Sequence, residues 1–218
     1  MRIAGIFCLL VLAGCFSSPR SRFYSLTPAT GQVDSHGYAG PVLGLGKVAL
    51  PAALDRRALM VYRSDTRLEI RDTERWAGPL DVLTRDALAV ALAARLPEGS
   101  VLLPNQARPD GDRRTLTLSL HRFAAGPDQV LHLAGRWSLV EGANVLGSRS
   151  TDIEVALPGL DGAAIATAMS TAIDRLAAAI AAQLGSFDEQ ASHSRDDAVT
   201  TSIGPCAGAS NDTTTHAR

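Results

Sequence analysis

Cysteine, aromatic residues and long apolar runs are all scarce in this chain. Its 218 residues include three Cys, five Phe, three Tyr and two Trp. The clearest apolar run, Ile3 to Leu12, is about half the roughly 20 residues that a helix needs to span a bilayer core, so it is too short for a permanent anchor. Charge of one sign is missing as well. A formal net charge of -1 and a pI near 6.5 exclude the basic footprint of a nucleic-acid binder, and no charge run marks an acidic or basic partner. Hydrolase and nucleotide motifs are absent too: there is no Gly-x-Ser-x-Gly elbow, no His-Glu-x-x-His, and no glycine-rich loop ending in Lys-Ser or Lys-Thr. No period long enough for a solenoid occurs.

What is present begins at the N-terminus. Arg2, the compact apolar stretch after it, and the small residues Ala13 and Gly14 have the form of an export signal with a small-residue cleavage site. The closing residues Leu12-Ala13-Gly14-Cys15 resemble the lipobox of a bacterial lipoprotein. Residues 1–14 are therefore expected to be removed, and Cys15 to be lipidated (palmitate among its acyl chains) as the first residue of a mature protein. Several acyl chains, each adding about 0.8 kcal/mol per buried CH₂, would hold it at a membrane almost irreversibly. Cys8 leaves with the signal, so Cys15 and Cys206 remain, and no structural disulfide is expected. The core must then carry the fold, and 46% hydrophobic residues suffice for one domain. Phe16 follows Cys15 and no Asp stands there, which favours sorting to the outer membrane over retention at the inner one.

Along the mature chain, residues 15–22 read as a lipidated, Ser-rich tether. Phe23-Tyr24-Ser25-Leu26 reads as an opening strand, and Thr30 to Pro41 as a loop. Val42 to Leu50 reads as a strand interrupted by Gly44 and Gly46, the mark of a bulge or a close backbone approach. Leu59 to Arg63 and Arg67 to Arg71 form a hairpin pattern around Ser64-Asp65-Thr66. From Pro79, Leu80, Leu83, Leu88, Leu92 and Leu96 build one apolar helical stripe, with Asp81, Arg85, Asp86 and Arg95 assigned to its outer face. Segments 114–123, 130–140 and 145–157, joined by turn chemistry at Ala125-Gly126-Pro127-Asp128 and Glu141-Gly142-Ala143-Asn144, predict an antiparallel meander. Asp161 is placed to cap a long Ala-rich helix ending at Leu184. The polar residues 186–218 read as a disordered tail. The expected fold is thus a single α/β (α+β) domain over 23–185, a mostly antiparallel sheet with two main helices packed on it.

Several of these residues together resemble a known family. Cys15 followed by Phe23-Tyr24-Ser25-Leu26, then Leu50-Pro51 with Leu54-Asp55-Arg56, then Arg75-Trp76-Ala77-Gly78-Pro79-Leu80 and the Ala-rich closing helix look like the ABC-type transport auxiliary lipoproteins, the PqiC-like group. Phe23 stands where a second Tyr is common and Gly78 where Glu is common. The tail after Gly185 is outside the pattern. The resemblance implies a non-enzymatic outer-membrane lipoprotein facing the periplasm, a partner in the MCE-domain proteins of a lipid transport system, homo-oligomers, and a role in membrane integrity.

Candidate partner-binding residues are Tyr24, Arg56 and Trp76, each weighed against a structural role: Trp76 and Tyr24 as core anchors, and Arg56 with Arg57 as solvated groups or partners of Asp55 and Glu69. His121 and His132 fall on neighbouring strands without a third ligand, so no metal site is assigned, and Cys206 has no group nearby to activate its thiol. No cofactor is expected beyond covalent lipid on Cys15. Two readings of function stay open. A docking protein would show an exposed apolar or aromatic patch, whereas a periplasmic lipid carrier would show an acyl-chain cavity between sheet and helices.

Overall fold

The computed structural model describes residues 20–28, 38–107 and 113–202, and side chains of the last helix as far as Phe187. Cys15, the signal residues 1–14, most of the Thr30–Pro41 loop and Cys206 lie outside the described residues. The chain forms one mixed seven-stranded sheet with two helices on it. The strands are β1 (Arg22–Tyr24), β2 (Val42–Ala49), β3 (Ala58–Tyr62), β4 (Leu68–Trp76), β5 (Arg113–Ala125), β6 (Val130–Glu141) and β7 (Asn144–Ala156). Helix α1 covers Leu80–Ala93 and α2 covers Gly162–Ser202, and a single 3₁₀ turn, Ala52–Leu54, precedes β3.

The expected meander is present. β5, β6 and β7 pair antiparallel in long ladders, with Leu118 opposite Trp137 and Trp137 opposite Arg149. Period-two alternation explains the sidedness: Leu116, Leu118, Leu120, Trp137 and Leu139 are buried, whereas Ser119 and Arg136 face solvent. The hairpin β3–β4 is antiparallel too. Three further pairings are parallel and had no local sequence signal: β1 on β4, β2 on the first half of β5, and Val61 of β3 beside Ala125 at the far end of β5. β5 thus serves two strands along one edge. The sheet runs β1-β4-β3-β5-β6-β7, with β2 beside β5.

Two glycines mark close approaches. The β2 register shifts between Leu45 and Val48, and a Cβ on Gly46 would lie 3.2 Å from the Leu116 carbonyl oxygen. Gly135 is tighter, because its Cβ would sit 2.3 Å from the Ser119 carbonyl oxygen and 2.8 Å from Leu120 Cα, beside the bulge in β5. Backbone cannot yield there as a flexible side chain can. Gly135→Ala should therefore destabilise the domain by about 1–3 kcal/mol, the usual cost of overpacking, and urea unfolding would measure it.

Both helices cover one face of the sheet. α1 starts at Leu80 after Pro79 and buries Leu80, Thr84, Leu88 and Leu92, with the Thr84 hydroxyl donating to the Leu80 carbonyl at 2.7 Å. Arg95, just past its end, departs from the expected outer-face position: it is 4% exposed, donates to the Ala91 carbonyl at 2.8 Å and pairs with Asp174 of α2 at 2.7 Å. Its partner lies on the other helix, so the helical pattern around Arg95 carried no hint of it. Asp161 caps α2 as expected, its Oδ1 accepting from the Ala163 and Ala164 amides at 3.0 Å each.

The end of α2 corrects the sequence reading. Instead of stopping at Leu184, the helix continues through Gly185 to Ser202, and residues 203–218 of the expected tail lie outside the described residues. Phe187 supplies the reason. It is 1% exposed, meets Trp137 edge-on at 5.7 Å between centroids, and lies under the Arg149 guanidinium at 4.9 Å. A glycine inside a helix costs only about 1 kcal/mol relative to alanine, less than burying a phenylalanine returns. By length and composition Gly162–Phe187 could cross a membrane, but its apolar side is spent on the sheet and α1.

Candidate docking surface

The three candidate partner-binding residues converge on one corner of the sheet. β1 runs parallel to β4, placing Arg22 beside Glu74, Phe23 beside Arg75 and Tyr24 beside Trp76. The chain leaving β4 is fixed at this level, since the Trp76 amide donates to the Arg57 carbonyl and the Ala77 amide to the Tyr24 carbonyl, both at 2.7 Å. Arg56 is therefore one residue from the strand that holds Trp76.

The side chains divide by face. Trp76, 3% exposed, is a core residue and is not available to a partner in this state. Tyr24 is half-buried, its ring against the start of α2, where a Cβ on Gly162 would come within 2.4 Å of it. Only glycine lets the ring and helix meet so closely. Glu74 ties the same junction, accepting from the Gly162 amide at 3.2 Å through Oε1 and from Arg71 at 2.8 Å through Oε2. Arg56 and Arg57 are exposed and make no ion pair among the described residues. Glu69, expected as their partner, instead bonds Arg63 and Arg71 on its own hairpin. The hydrogen bond from Arg63 holds the Glu69 carboxyl below the usual carboxylate range and raises the Arg63 guanidinium in turn.

Phe23 was read only as part of an opening strand, and the structure gives it a different prominence. On the edge strand, 63% exposed, it stands among the exposed arginines of this corner. Period two along β1 was the signal for it: if Tyr24 faces α2, Phe23 must face away.

The two histidines do not come together. His121 is exposed where the β5 register shifts, whereas His132 is buried, with Nε2 3.0 Å from Asp128 Oδ2 and Nδ1 3.2 Å from Glu154 Oε1. Desolvation works to raise the Asp128 carboxyl, but hydrogen bonds with His132 and the Val130 amide outweigh it and keep it below its ordinary value. Among the described residues no group of three His, Cys, Asp or Glu could hold a metal ion.

At the centre of the sheet, beneath both helices, the packing leaves little room. The space bounded by Leu54, Trp76, Leu80, Phe123, Ile165 and Met169 amounts to about 10 Å³, close to the volume of one water. Open grooves lie elsewhere, one of about 330 Å³ along α2, where Ala166 and the hydroxyls of Ser25, Thr27, Ser170 and Thr171 stand beside Asp174, and two between β2 and α1, of about 280 Å³ at Lys47 and Asp81 and about 190 Å³ at Leu45, Arg85 and Asp86.

Residues 24–181 match the model of a family described as the ABC-type transport auxiliary lipoprotein component. The chain is 27% identical over 133 residues to the intermembrane transport lipoprotein PqiC of Escherichia coli K12, covering 60% of this chain and 69% of that protein. The PqiC protein of Shigella flexneri matches to the same extent. Among solved structures, an uncharacterized protein superimposes with a TM-score of 0.64 at 20% identity, over 76% of this chain and 99% of the other. A protein from Xanthomonas campestris gives 0.61 at 16% identity, over 79% and 99%. Those two likenesses concern the fold, while the family match begins at Tyr24, the last residue of β1, and runs into α2, taking in Arg56 and Trp76. This chain belongs to the ABC-type transport auxiliary lipoprotein family.

Proposed function

We propose that this lipoprotein is anchored by acyl chains on Cys15 to the periplasmic face of the outer membrane, where it docks on a periplasm-spanning MCE-domain protein of an ABC-type lipid transport system. Its work is binding and not catalysis. Family membership and the intermembrane-transport relatives support a transport role. The observation that favours docking over carriage is the filled interior. An enclosed acyl-chain site needs a cavity of several hundred Å³, whereas the apolar space buried beneath both helices is about 10 Å³ and the larger grooves are open, with charged or hydroxyl side chains in their walls. Confinement by the anchor raises the effective concentration at the partner, so a weak interface can hold.

Two measurements test this reading. In fractionated envelopes the parent protein should sediment with outer membrane and the Cys15→Ser variant should not. A variant that stayed membrane-bound would sink the anchor. With the full chain as bait in detergent-solubilised envelopes, recovery of an MCE-domain protein without stoichiometric lipid is the expected result. Lipid at about one molecule per chain with no protein partner would favour the periplasmic carrier instead.

A further inference from the structure

The corner that begins the domain carries more positive charge than the chain as a whole. Arg20, Arg22, Arg56, Arg57 and Arg75 are all exposed at this corner, Arg75 directly beside Phe23 and Arg22 on the opposite face of β1, in a protein whose formal net charge is -1. None of the five makes an ion pair among the described residues; Arg75 reaches only the Asp72 carbonyl, at 2.9 Å. Glu74, level with Arg22, does not neutralise it, because its two oxygens are taken by the Gly162 amide and Arg71. Asp55 and Asp72 border the patch. The apolar element is Phe23 itself, 63% exposed on the edge strand.

We propose that this corner is the membrane-facing surface of the domain, with Phe23 entering the headgroup region of a bilayer and the arginines of the same corner binding anionic phospholipid. The inference rests on the Cys15 anchor, to which it adds an orientation. From Cys15 to the start of β1 at Arg22 the chain can reach no further than about 25 Å even fully extended, so the patch cannot leave the neighbourhood of the lipid surface. An exposed aromatic ring with guanidinium groups along the same corner suits that boundary: the ring replaces interfacial water while the forked donors take phosphate oxygens bidentately. Each arginine held near an anionic surface should strengthen contact about fivefold. The opposite edge of the sheet, β7, has Val145 equally exposed but no such group of arginines, and it serves as the comparison.

The test uses the lipidated protein purified from cells and reconstituted in vesicles of brominated phosphatidylcholine, with or without about one-third phosphatidylglycerol. Flotation reports the anchor, and bromine quenching of a Phe23→Trp variant reports the orientation, since native Trp76 and Trp137 are buried. The expected result is flotation in every case, at least twofold quenching of the new tryptophan in anionic vesicles, weaker quenching in neutral ones, and none for Val145→Trp. Adding Arg56→Glu and Arg75→Glu, both exposed and without ion pairs among the described residues, should remove the quenching without changing flotation or the melting temperature. A protein that floats but whose residue 23 is unquenched would overturn the orientation while leaving the anchor intact. So would quenching equal in neutral and anionic vesicles, or a residue 23 that is shielded only when an MCE-domain protein is added. Loss of flotation would overturn the anchor, and the orientation with it.

Discussion

Phe187→Ala should lower the stability of the domain by about 3–5 kcal/mol, the range for truncating a buried phenylalanine. The ring is 1% exposed and fills a place that no neighbour can take over: Gly147 lies beneath it, so close that a Cβ there would overlap the ring, Trp137 meets its edge, and Arg149 lies over its face. Removing the ring leaves a cavity bounded by strand backbone, which relaxes poorly. Unfolding in urea followed by Trp fluorescence is a direct measure, because Trp137 itself reports the lost contact. The same variant should shorten α2, read as a loss of helical circular dichroism before the main transition. A cost below about 1 kcal/mol would mean that the helix holds its course past Gly185 without this contact.

Asp174→Ala should cost about 3 kcal/mol. Arg95 is 4% exposed, and its guanidinium has one carboxylate partner, Asp174, and one carbonyl, that of Ala91. Deleting the carboxylate leaves a buried charge without its counter-charge, for which the usual cost is about 3–5 kcal/mol; Asp174 keeps some contact with solvent, which places the effect at the lower end. The double variant Arg95→Met with Asp174→Ala should recover most of the loss, since the charge and its desolvation disappear together. If the double variant were as unstable as the single one, the interaction would be packing of the arginine stem and not pairing of charge.

What sequence could reveal here depends on whether the cause of a structure lies nearby in the chain. The meander, the hairpin and the Asp161 cap are local, since alternation and turn residues within a dozen positions determine them, and each formed as expected. Arg95 and Phe187 were misplaced for the opposite reason. An arginine at the end of a helix has the signature of a solvated residue, and only Asp174 on a distant helix makes it a buried one. Phe187 stands alone in a polar stretch just after a glycine, and nothing in that stretch announces Gly147 and Trp137 waiting on the sheet. At the corner of β1 and β4, Tyr24, Arg56 and Trp76 do lie together, but burial reassigns them. Trp76 and Tyr24 hold the junction of β1, β4 and α2, leaving Phe23 and the arginines as the accessible chemistry. The parallel pairing of β1 with β4 decides that division, and a three-residue strand has too little pattern to predict it.

The same parallel pairings set an order of events. A chain delivered N-terminus first brings out β1 before β4 and β2 before β5, so both early strands must remain open until residues about 50 to 70 positions later have arrived. Loop closure over such separations is slow, whereas β5, β6 and β7 need only their own turns to assemble. On that ground assembly is expected to begin with β5, β6 and β7, with the N-terminal strand β1 among the last to settle. Until then its strand edges are open to pairing with other chains.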